Sequence, residues 1–156
     1  MTGTALEFLE FELPEGWNQL ERPGSGLFTA VGPADDAPGE GFQSSLIADI
    51  YADLEGEDAH RDFHIAQVES LARTMTDALL IDDADVEVAG LSAITSTIAF
   101  RQGFWTVTAR IWTIDAPGGA VMITTLCDVD RTPIEGPIFD DVVQSIVITG
   151  SKDSDA

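Results

Sequence analysis

Near the start of the chain, Leu9-Glu10-Phe11-Glu12-Leu13 alternates apolar residues with glutamates. A period of two predicts a half-buried strand with one wet face. Pro14-Glu15-Gly16-Trp17 ends it in a turn. Short apolar runs at Leu27 to Val31 and Phe42 to Ala52 predict two more strands. Between them, Gly32 to Gly41 is rich in Gly, Pro and Asp and reads as a loop. The period then changes. Ile65, Val68, Leu71, Ala72 and Met75 fall at helical spacing and form one apolar stripe. Glu57 or Asp58 can cap that helix, where an acid also suits the positive end of the helix dipole. Asp82-Asp83-Ala84-Asp85 reads as a break, followed by a short strand from Val86 to Ala89 and a turn at Gly90.

The middle of the chain is the most sharply patterned. Ala93 to Phe100 and Phe104 to Ile114 flank Gln102-Gly103, a pair suited to a two-residue hairpin turn. In that register Phe100 faces Trp105, Ile98 faces Val107, Ser96 faces Ala109 and Ile94 faces Ile111. Those residues share one face. Thr95, Thr97, Ala99, Thr106, Thr108 and Arg110 share the other. A slip of one residue would mix the two sets, so the pattern specifies which side chains lie together. Val121 to Val129 is largely apolar or threonine on both faces. Such a strand belongs in the middle of a sheet with a layer over each side. Pro133 precedes a helix from Ile134 to Ser145, with Ile138, Phe139, Val142 and Val143 on its apolar side. Ile146 to Thr149 closes the pattern as a strand, and the last residues, 151–156, are a polar tail.

Composition narrows the function classes. The 156 residues, 44% of them hydrophobic, suit one α+β domain over 1–150 with its own core. Twenty-eight acids stand against seven basic residues, a net charge of -21. That excludes the nucleic-acid backbone as the main ligand, because such binding is carried by Lys and Arg. It disfavours an anionic membrane surface for the same reason. The one cysteine, Cys127, forms no internal disulfide. With no basic leader, lipobox or apolar run of about 20 residues, a cytoplasmic location is expected.

Three short pieces, in this order and spacing, resemble the PsbP-like superfamily, which includes PsbP, Mog and DcrB-type domains. They are Phe11-Glu12-Leu13-Pro14-Glu15-Gly16-Trp17, Val88-Ala89-Gly90-Leu91-Ser92-Ala93 and Phe139-Asp140-Asp141-Val142-Val143-Gln144-Ser145-Ile146. The resemblance implies an antiparallel sheet with helices packed on its faces, an α/β/α sandwich. It also implies a binding protein with no universal catalytic residues. High acidity with six arginines to one lysine fits a halotolerant or high-GC bacterial proteome, such as that of an actinobacterial member.

Candidate chemistry is sparse. His60 and His64 are four apart on the predicted helix, a spacing that can place two imidazoles on one metal. The intervening Arg61-Asp62-Phe63 lacks the glutamate base, and no third ligand is specified. Asp82, Asp83, Asp85 and Glu87 lack the glycine of a calcium loop. Nothing beside Cys127 in sequence would activate it. Neither a nucleophile elbow nor a phosphate loop is present. Trp112, Arg110, Thr108 and Ile123 fall on one side of the predicted sheet. They form either a second core layer or an apolar groove for a partner. The expectation is a non-catalytic adaptor or chaperone-like domain that holds a protein or peptide partner, without a cofactor. An acidic surface favours a basic partner. A small-molecule carrier and, further off, a metal-dependent hydrolase using His60 and His64 are the alternatives. A homodimer through edge strands stays open.

Overall fold

The computed structural model describes residues 6–20, 28–32, 43–52, 58–116 and 119–150. Nine strands and two helices follow one another along these residues. They are β1 (Leu6–Glu10), β2 (Asn18–Gln19), β3 (Phe28–Val31), β4 (Ser45–Ala52), α1 (Ala59–Thr74), β5 (Thr76–Val88), β6 (Leu91–Gln102), β7 (Trp105–Ala116), β8 (Gly119–Asp128), α2 (Thr132–Gln144) and β9 (Val147–Gly150). Seven strands make one antiparallel sheet in the order β2-β3-β4-β8-β7-β6-β5. β1 and β9 pair separately as an antiparallel ribbon. The strand that is apolar on both sides, β8, is the middle one.

Alternation sorts the side chains into two cores. Even-numbered residues of β7 and odd-numbered residues of β8, among them Trp112, Ile114, Val121 and Ile123, pack against Phe139, Val142 and Val143 of α2. Leu9 and Ile148 of the β1–β9 ribbon close the same core. On the opposite face Val107, Ala109 and Ile111 of β7 meet Ile98 and Phe100 of β6 and Val68 of α1. The result is an α+β sandwich with a helix on each side of the sheet.

Several expectations change in detail. The central hairpin pairs Phe100 with Val107 and Ile98 with Ala109, two residues away from the predicted register. The faces are unaffected, because a shift of two preserves the side-chain alternation. The physical reason is the turn. Gly103 takes φ 64°. It occupies the first central position, where a primed hairpin turn needs a positive φ, and Phe104 occupies the second. Asp82 to Asp85 is not a break. It lies inside β5, a 13-residue outer strand whose ladder to β6 is interrupted by bulges between Thr76 and Leu79 and between Leu80 and Asp82. Bulges and carboxylates are how an edge strand avoids pairing with another chain, so its polar pattern reflects its edge position. In α1 the buried stripe is His64 and Val68, flanked by Leu71 and Met75, while Ile65 is 47% exposed. The predicted first strand ends at Glu10, although Phe11 and Leu13 still pack on the core. The predicted loop from Gly32 to Gly41 lies, after Gly32, outside the described residues, as does the tail from residue 151.

Candidate functional site

Trp112, Arg110, Thr108 and Ile123 do come together on one face. That face is the one α2 covers. Trp112 is 3% exposed and Ile123 wholly buried. Thr108 accepts a hydrogen bond from Thr132 Oγ1 at 3.1 Å, at the start of α2. Arg110 Nη1 donates to Asp140 of α2 at 2.9 Å and Nε to Thr95 at 3.2 Å. Its guanidinium lies 4.7 Å from the Trp112 ring centroid. The arginine therefore seals the rim of a core layer and is itself partly exposed, whereas a partner would have to displace α2 to reach Trp112 or Ile123. Buried Glu135 supports the same layer. It accepts from Ser44 of the neighbouring chain segment and from Arg131 Nε at 2.7 Å.

The two histidines have separate partners. His60 Nε2 donates to the Gly119 carbonyl at 2.8 Å and lies 3.2 Å from Asp115. His64 points into the α1–sheet interface. Its Nδ1 lies 2.8 Å from Thr113 Oγ1 and its Nε2 lies 2.7 Å from Ser96 Oγ. Ser96 in turn donates to Asp83 of β5 at 2.5 Å. Because Ser96 spends its proton on the carboxylate, it accepts from Nε2–H, and the Thr113 hydroxyl then donates to Nδ1. This string satisfies a neutral imidazole. Burial pushes the His64 pKa below its ordinary value, with Arg61 adding to that effect and Asp83 opposing it. Ser96 is wholly buried, so it offers no reachable nucleophile. Among the described residues no group of three or more His, Cys, Asp or Glu is arranged to hold a metal ion. Asp85 pairs with Arg61 at 3.1 Å rather than with the other acids of β5. Burial raises the pKa of the Cys127 thiol, which keeps it protonated and unreactive.

A cleft on the α1 face is what the sequence reading missed. A helix is about 10–12 Å wide and neighbouring strands are about 4.8 Å apart, so one helix spans only two or three strands. α1 packs mainly over β5, β6 and β7. On that face β8 and β4 are left at its flank. The space between them and the C-terminal half of α1 is a cleft of about 310 Å³. Ile47, Leu71, Met75, Phe100, Met122 and Leu126 supply its apolar wall, and Gln67, Ser70, Gln102 and Thr124 its polar part. Among the described residues none that lines it is charged. A smaller cleft of about 220 Å³ lies on the other flank of α1, between Ile65 and Leu80, above His64. In the sequence each lining residue looks like ordinary core. The one available signal was proportion: a single helical stripe is too narrow to cover so wide a sheet.

The fold is that of PsbP-like proteins, and solved structures show it. LpqN of Mycobacterium tuberculosis, involved in cell envelope biogenesis, superposes with a TM-score of 0.65 at 14% identity, covering 90% of this chain and 83% of its own. The cyanobacterial PsbP of Synechocystis gives 0.61 at 16% identity, covering 90% and 86%. A protein of unknown function from Pseudomonas aeruginosa gives 0.60 at 16% identity, covering 94% and 97%. At these identities the likeness is one of fold. No protein family and no curated protein is matched by the sequence. Among the described residues no helix is long and apolar enough to cross a membrane.

Proposed function

We propose that this chain is a non-catalytic binding domain that holds a protein partner in the cleft beside α1. The observation that carries this reading is the uncharged, largely apolar lining of that cleft in a chain of net charge -21. So much apolar surface left at a helix flank is the usual mark of a partner or ligand site. Its volume of about 310 Å³ lies at the floor of the range for drug-sized ligands and suits an anchoring side chain or two of a partner. Met75 and Met122 give the walls the adaptability that partner-binding surfaces use.

A photo-cross-linking residue at Ser70, on the cleft, tests this in the native host. It should yield a discrete protein adduct that disappears when Thr124→Phe fills the cleft. The same cross-linker at Thr106, on the opposite face, should yield none. No adduct from Ser70, together with a small apolar molecule carried through purification and seen by native mass spectrometry, would replace the reading with that of a small-molecule carrier.

A further inference from the structure

We infer that the occupant of the α1 cleft is a cationic amphipathic segment of a partner protein, with apolar side chains in the cleft and Lys or Arg at its margin. The inference rests on the protein-binding reading above and adds the partner's chemistry.

Charge is distributed unequally between the two faces of the sheet. Strand registers and side-chain alternation assign each charged residue of β4 to β8 to a face. Asp49, Asp83, Asp85, Glu87, Asp115 and Asp128 fall on the α1 face. Arg101 and Arg110, the basic residues of these strands, fall on the α2 face with Thr95, Thr97 and the acid Asp82, and Asp77 lies in the irregular stretch between Thr76 and Leu79. The face that carries the cleft therefore presents only acids from its strands. Two of them stand next to the lining. Asp49 follows Ile47 on the same side of β4 and pairs with Met122 across the ladder. Asp128 follows Leu126 on the same side of β8. On α1, Gln67 and Ser70 line the cleft, Arg61 borders the other flank and is paired with Asp85, and Arg73 is exposed in the last turn, outside the lining.

An apolar cleft with an acidic margin selects among occupants. A fatty acid would bring a carboxylate toward Asp49 and Asp128 and would be repelled. A second copy of this chain, itself at -21, would be repelled over its whole surface. A segment with apolar anchors and flanking cations gains at both places. Its association would be steered by the field and weakened by salt.

Three synthetic peptides test this, identical in their Leu and Phe positions and carrying Lys, Gln or Glu at every polar position. Binding to the full chain is read by fluorescence anisotropy at about 0.05 M and about 0.5 M salt, which brackets strong and weak screening. The Lys peptide should bind about five- to ten-fold more tightly than the Gln peptide at low salt, through attraction to the acidic face. The Glu peptide should not bind, and high salt should shrink the difference. Thr124→Phe should abolish binding of both the Lys and Gln peptides. If that variant loses its fold by circular dichroism, Met122→Gln serves the same purpose. Asp49→Asn with Asp128→Asn should weaken the Lys peptide several-fold and leave the Gln peptide unchanged. Equal affinity of Lys and Gln peptides, both lost in Thr124→Phe, overturns the cationic inference and leaves the cleft as a protein site. Lys-peptide binding that survives Thr124→Phe shows adsorption to the acidic surface at large and also overturns it. No binding by any peptide overturns both this inference and the protein-binding reading.

Discussion

His64 Nε2 donates to Ser96 Oγ at 2.7 Å, and this contact fastens α1 to β6 inside the apolar interface. Ser96 carries the connection on to exposed Asp83, and Thr113 completes it on the other side of the ring. The string satisfies a neutral imidazole, and burial disfavours the charged one. Below about pH 6.5 the unfolded chain protonates this histidine before the folded chain does. The stability that burial of neutral His64 contributes is therefore complete above about pH 6.5 and is lost as pH falls through the lowered folded-state pKa. Acidification also relieves repulsion among the carboxylates, so the informative quantity is a difference. Urea denaturation of wild type and His64→Gln should show their stability gap narrowing from pH 7.5 to about 5. A constant gap would count against a neutral buried imidazole.

Ser96→Ala removes the hydroxyl that both His64 and Asp83 use. His64 Nε2–H is then buried without an acceptor. The loss should be about 1–3 kcal/mol by urea denaturation at pH 7.5, the cost of an unsatisfied buried donor.

Trp112 and Asp140 separate core from rim. Trp112→Ala should cost about 3–5 kcal/mol, because α2 cannot close over the vacated volume. Asp140→Asn breaks the ion pair with Arg110, whose partners are both partly exposed, and should cost no more than about 1 kcal/mol, less at high salt. A stable, folded Trp112→Ala would show that this face is not a core layer.

The central hairpin makes a prediction about its turn. Gly103→Ala forces a side chain into the left-handed region and should cost about 1–2 kcal/mol in thermal or urea unfolding. Phe104, 98% exposed beside it, should tolerate Ser within about 0.5 kcal/mol.

Val68 and Ile65 mark the two sides of α1. Val68→Ala should cost about 2 kcal/mol, from roughly 0.8 kcal/mol per buried carbon plus a cavity contribution. Ile65→Ser should change stability by no more than about 0.5 kcal/mol. The opposite order would place the buried stripe where hydrophobicity alone puts it.

Helical spacing puts His64 at the edge of the apolar stripe, whereas hydrophobicity alone favours Ile65 for the buried face. His64 is buried because Ser96 and Thr113 wait opposite it, from strands 32 and 49 residues away. The acids of β5 misled for a related reason. A strand at the edge of a sheet needs little apolar content, so its pattern resembles a turn until the ladder to β6 is seen. The Trp112 group was correctly gathered on one face. Whether a helix covered that face depended on where α2 docks.

By itself the sequence determined what is local and periodic. The faces of β6, β7 and β8, the existence of both helices, the central place of the strand apolar on both sides, and the strong negative charge all follow from neighbour-to-neighbour pattern. The tertiary structure alone decided which surface is left open. It placed α2 over Trp112, set α1 over only part of the opposite face, and left Ile47, Met122 and Leu126 beside a cleft. Periodicity assigns a side chain to a face, whereas coverage of that face depends on the width of a helix against the width of a sheet.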